Sequence, residues 1–169
     1  MLPLPSPALG VIAIGMAIAT VVDIRTRRIP NELTAAMAGV GVGLSATGVS
    51  GVPLWASALG FAVGLLLMMP GHVLGATGAG DVKLMAAVGA ILGPTMVVKA
   101  FLFTAIAGGV LAIIVAARRR RLTATLAGTG RLVAGSSDTR ERLRSAPAAS
   151  RFAYGPAIAA GTIAAALVG

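Results

Sequence analysis

Cysteine is absent from the 169 residues and histidine occurs once, at His72. These absences exclude disulfides, thiolate zinc sites, cysteine nucleophiles and any multi-histidine metal cluster. Charge is also scarce: 11% of the residues are charged, with only five acids against 14 Lys and Arg, where a soluble domain carries about 25%. What fills the chain instead is apolar, at 57% hydrophobic residues and a mean hydropathy of +0.93. The runs Ala8–Val22 and Val97–Ala117 approach or reach the roughly 17–25 residues that carry an α-helix across a bilayer core of about 30 Å. An integral membrane protein follows, and no stretch remains for a separate soluble domain of about 100 residues.

Pro/Gly punctuation and charge clusters divide the chain into about six expected spans. They are Pro7–Val22, Leu33–Val49, Pro53–Pro70, Val82–Leu92, Thr95–Ala117 and Phe152–Val168, with the fourth short enough to begin earlier or tilt. The fold class is all-α, since isolated strands in lipid would leave backbone groups unpaired and no barrel-like alternation is present. The expected organisation is one membrane-embedded domain over residues 1–169. No Lys or Arg precedes Arg25, so the N-terminal stretch lacks the basic region of a cleavable signal peptide and reads as a retained first helix.

The net charge of +9 would suggest nucleic acid in a soluble chain, but in a membrane protein basic residues report topology, so no nucleic-acid partner is expected. Six spans place Arg25, Arg27, Arg28, Lys83 and the basic segment at about 118–151 on one side, the cytoplasmic one, leaving Lys99 near the other. Trp55 would anchor at the outer interface, and Phe152 and Tyr154 at the inner one. The segment 118–151 reads equally as an amphipathic stretch on anionic lipid or as a solvated loop.

The acids carry the chemistry. Asp138 and Glu141 lie in the basic segment and Glu32 follows Pro30-Asn31, while Asp23 and Asp81 abut spans one and four at the same side and depth. Asp23 could pair with Arg25 or Arg27, and Asp81 could cap its helix. Brought together, however, two carboxylates cannot both ionise cheaply, so one holds a proton while the other accepts one. Such a pair activates water against a peptide carbonyl and protonates the leaving amine. Helix dipoles would bias Asp81, at a helix N-terminus, towards ionisation as initial base, and Asp23 towards the protonated acid.

The stretch Asp23-Ile24-Arg25-Thr26-Arg27-Arg28-Ile29-Pro30-Asn31 and the later Gly78-Ala79-Gly80-Asp81-Val82-Lys83-Leu84 resemble the two signature regions of the type IV prepilin peptidases, membrane aspartyl proteases of the GxGD class. The continuation Met85–Gly93 and Tyr154-Gly155-Pro156 resemble the family too, in order and spacing. The resemblance implies that Asp23 and Asp81 are the catalytic pair, with no metal and no cofactor. It implies a pilin-like precursor as substrate, losing a short basic leader at the cytoplasmic face of the bacterial inner membrane. The chain is similar to the short, peptidase-only branch associated with Flp/Tad-type pili. It lacks the cysteine-bearing N-terminal insertion of the bifunctional members, so methyltransferase activity is not expected.

Around the pair, Gly78 and Gly80 would let an extended substrate strand approach. Lys83 could orient substrate, tune the acid, or snorkel to headgroups. Pro30-Asn31 would shape entry into span two, with Asn31 as its N-cap. Gly155-Pro156 would either kink span six beside the site or mark a helix start. His72 carries no expected role. Two rival readings use the same acids: a small proton-coupled transporter or channel component in which they relay protons, and a non-catalytic scaffold of a secretion apparatus. Substrate identity and oligomeric state are not encoded legibly.

Overall fold

The computed structural model describes residues 6–118 and 154–168. The basic segment beyond Arg118 and the expected anchor Phe152 lie outside the described residues. Within them the chain forms helices α1 (Ser6–Thr26), α2 (Asn31–Ala46), α3 (Leu54–Val73), α4 (Ala79–Leu92), α5 (Pro94–Arg118) and α6 (Gly155–Val168).

Local chemistry sets the breaks. After α1 the chain turns at Arg27, whose φ of 55° is the left-handed conformation that closes many helices. The Thr26 hydroxyl donates within the same turn to the carbonyls of Val22 or Arg28, both at 2.9 Å. Pro30 and Pro53 stand immediately before α2 and α3 in extended conformation, where a missing N–H costs nothing. Between α4 and α5 the break falls at Gly93, with φ 79°, followed by Pro94 as the first residue of α5, a position whose amide is unpaired in any helix.

Among the described residues the expected count of about six spans is supported in part. Three helices are long and apolar enough to cross a bilayer: Pro7–Thr26 in α1, Leu54–Val73 in α3 and Pro94–Ile114 in α5. The other three have 16, 14 and 14 residues, and 14 residues rise only about 21 Å against a core of about 30 Å. In α4 the reason is visible in its burial: every residue from Asp81 to Leu92 except Lys83 is buried. A helix wrapped by its neighbours has no lipid thickness to match. Lipid is met instead by residues such as Ile14, Ile18, Val21 and Ile24 of α1 and Leu102, Ile106 and Ile113 of α5, all exposed.

Backbone contact holds α4 in place. Gly60 of α3 and Gly89 of α4 face each other so closely that a Cβ on either would collide with the other's carbonyl oxygen, and Gly64 meets the Met85 carbonyl in the same way. One turn along, the Ser57 hydroxyl donates to the Ala90 carbonyl at 2.7 Å. On the opposite side Gly41 of α2 lies against Ala90 and Ile91. Gly161 of α6 packs on Thr104 of α5 in similar fashion. Small residues therefore act as they do between membrane helices generally, where dispersion and interhelical hydrogen bonds replace the hydrophobic effect as the driving force.

Gly89→Ala should destabilise the folded protein by about 1–3 kcal/mol or more, because the added methyl has only backbone to displace. Gly39→Ala, with open space around its Cα, should be neutral or stabilising by up to about 1 kcal/mol through helix propensity. Reversible unfolding in mixed micelles measures both.

Candidate active site

Asp23 lies one turn before the end of α1, and Asp81 in the first turn of α4, ahead of the apolar run of that helix. Both are buried, at 5% and 8% exposure. A carboxylate in such surroundings requires hydrogen-bond donors, and each finds a backbone amide. Gly155 N–H donates to Asp23 Oδ2 at 2.8 Å, and Gly78 N–H donates to Asp81 Oδ2 at 2.9 Å.

The second bond is a helix cap. Gly78 precedes α4, and Asp81, three residues on, reaches back to the amide that the helix leaves unpaired. The capping role considered for Asp81 is thus realised. The first bond is tertiary: Gly155 is the first residue of α6, and its amide is one of those with no partner inside that helix. A side chain at 155 would obstruct it, since a Cβ there would lie 2.9 Å from Asp23 Oδ2 and 3.0 Å from Asp23 Cβ. Pro156 sits in the opening turn of α6. Gly155-Pro156 is therefore a helix start and not a kink.

Tyr154 stands at the entry to α6, within the field of Asp81. Its neighbour Gly155 holds Asp23, while burial first and the negative charge of Asp81 second push its phenol above the usual range. The ring fits over Gly108 of α5, where a Cβ would lie 2.6 Å from the phenolic oxygen. The ring is half-buried against α5. Trp55, by contrast, is 68% exposed at the start of α3.

The proton balance also differs from the dipole argument. Burial pushes the Asp81 carboxyl up to about 6; the Gly78 amide pulls it down, and the charge of Asp23 adds to the rise. Desolvation outweighs the Gly78 hydrogen bond, so the Asp81 carboxyl keeps its proton to higher pH than an ordinary aspartate.

The remaining candidate residues surround Asp81. Gly78 has a φ of −75° and ψ of 154°, ordinary extended backbone. Gly80 packs on Ile29, with a Cβ there 3.0 Å from Ile29 Cβ and 3.2 Å from its carbonyl oxygen. Asn31 is the first residue of α2 and not its N-cap, which is Pro30. The Asn31 side chain instead accepts a hydrogen bond from Lys83 Nζ at 2.8 Å. His72 is exposed, and its Nδ1 lies 3.2 Å from the Thr77 carbonyl in the loop leading to Gly78. Ile29 and Gly108 escaped the reading of the sequence, because nothing in an isoleucine or a lone glycine marks which remote backbone it will touch. Among the described residues no group of three or more His, Cys, Asp or Glu could hold a metal ion.

The profile of the type IV leader peptidase family matches residues 10–113, a span that contains both aspartates, all of α2, α3 and α4, and most of α1 and α5. The chain belongs to the type IV leader peptidase family. No curated protein and no solved structure matches it. Family membership makes the protein a membrane protease of the aspartic type, and the three long apolar helices agree with that setting.

In this leader peptidase family member, the carboxyl of Asp81 should titrate with a midpoint near 6, well above the usual carboxylate range. Asp23→Asn removes a negative charge that favours the proton, so it should lower that midpoint. Carbon-13 NMR of selectively labelled aspartate in micelles reads both. Gly155→Ala should lower activity about tenfold or more by displacing Asp23, with helix content retained by circular dichroism.

Proposed function

We propose that the chain is an aspartic endopeptidase that removes the short basic leader from pilin-like precursors at the cytoplasmic face of the bacterial inner membrane. Asp23 and Asp81 form the catalytic pair of one membrane-embedded peptidase domain. The observation that carries this reading is the convergence of two buried carboxylates from α1 and α4 on the Tyr154-Gly155 entry to α6, at one end of the bundle. Both acids lie inside the span matched by the family.

The pair works with one proton between its members. Asp81 holds it, because ionising that carboxyl is opposed by burial and by the charge of Asp23. Asp23, oriented by the Gly155 amide, takes a proton from water as the oxygen attacks the scissile carbonyl. Asp81 donates to the developing oxyanion, and a proton then passes to the leaving amine. The bond to be cleaved must lie in an unwound segment, since a helical peptide group is shielded by its own hydrogen bonds.

Beyond Gly155, an apolar cavity of about 330 Å³ opens between α5 and α6, lined by residues including Val110, Leu111, Ile114, Pro156 and Ala160. It offers space for the apolar segment that follows the cleaved bond in such precursors. Both acids stand at one end of the bundle and not along a path through it, which favours hydrolysis over a proton relay.

Co-expression with a cognate prepilin tests the proposal. The wild type should shorten the precursor by the mass of its leader, and Asp23→Asn and Asp81→Asn should each reduce processing by at least about a thousandfold, as loss of a general acid or base within a coupled pair does. Processing that survives either substitution overturns the assignment.

A further inference from the structure

Two contacts flank Asp81 and lead to the same three residues. Gly80, just before it, packs on Ile29 with the approach described above, and Lys83, two residues after it, donates to Asn31. Ile29 and Asn31 belong to the connection that follows Asp23 out of α1 and into α2. The chain therefore leaves one aspartate, turns at Arg27, and is fastened on either side of the other aspartate.

The two fastenings differ in kind. Gly80–Ile29 is apolar and buried on the Ile29 side, where exposure is 8%, and it fixes distance through backbone contact. Lys83–Asn31 is charge-assisted and exposed, and it fixes rotation of the first turn of α4, on which Asp81 is carried. The Asn31 carbonyl serves this contact in place of capping α2; Thr34 meanwhile donates its hydroxyl to the Asn31 backbone carbonyl at 3.0 Å. The Lys83 ammonium is directed to the Asn31 side chain of α2, and a basic leader would be repelled by it.

We propose that Lys83 and Asn31 are positioning residues of the catalytic pair: their hydrogen bond locks the Asp81 turn of α4 to the segment that follows Asp23, and so sets the relative placement of the two carboxylates. The inference rests on the peptidase reading above. Displacements far smaller than a side chain cost catalysis heavily, because a pair sharing one proton works only at short range.

The test is a double-mutant cycle on purified enzyme with a cognate prepilin. Lys83→Met and Asn31→Ala should each lower kcat by about tenfold while leaving KM within about twofold, the signature of lost transition-state placement and not lost substrate binding. The double variant should be no slower than either single one, because both remove the same bond. Asn31→Asp, which can still accept from Lys83, should restore most of the kcat lost in Asn31→Ala, and both side chains are exposed, so folding should persist. Additive losses, a rise in KM alone for Lys83→Met, or full activity in Asn31→Ala would overturn the proposal. A wild type that processes no prepilin, or aspartate variants that process it normally, would instead overturn the peptidase reading on which it rests.

Discussion

Two carboxylates inside an apolar bundle must be given hydrogen-bond donors or lose their charge, and here each is given one backbone amide from the start of a helix. Gly78 serves Asp81 and Gly155 serves Asp23. The rest of the site follows from that requirement. A helix N-terminus exposes amides that have no partner of their own, so directing α4 and α6 towards the same end of the molecule satisfies acids and helices together. The arrangement brings the acids within electrostatic range, so that the charge of Asp23 adds to the rise of the Asp81 carboxyl.

Glycine makes this geometry possible in two distinct ways. At Gly155 it removes the Cβ that would push Asp23 away from the amide. At Gly60, Gly64 and Gly89 it brings α3 and α4 into backbone contact, which seats α4 deep in the bundle and carries Asp81 with it. Neither use depends on left-handed backbone. In lipid, where apolar side chains gain little by leaving their surroundings, close approach of backbones is what distinguishes one helix arrangement from another.

Burial at this site also decides a contest of electrostatic effects. The Gly78 amide favours an ionised Asp81, whereas desolvation and Asp23 oppose it, and desolvation prevails. A dipole argument from helix position alone reaches the opposite sign, because it includes the local field and omits the environment into which the helix is packed.

Composition and motif by themselves determined that the chain is an all-helical membrane protein, and that Asp23 and Asp81 are the acids to examine. An apolar excess must meet lipid, and scarce acids at equivalent span ends stand out against it. The breaks at Ile29-Pro30, Val52-Pro53 and Gly93-Pro94 were equally legible, since proline and glycine act through local backbone geometry. Only the tertiary structure decided that three of the six described helices are shorter than the bilayer is thick, that Asn31 meets Lys83 and does not cap α2, and that Gly80 rests on Ile29. Those outcomes depend on contacts between residues far apart in sequence, such as Gly155 with Asp23, and hydrophobic pattern carries no record of which amide a buried acid will find.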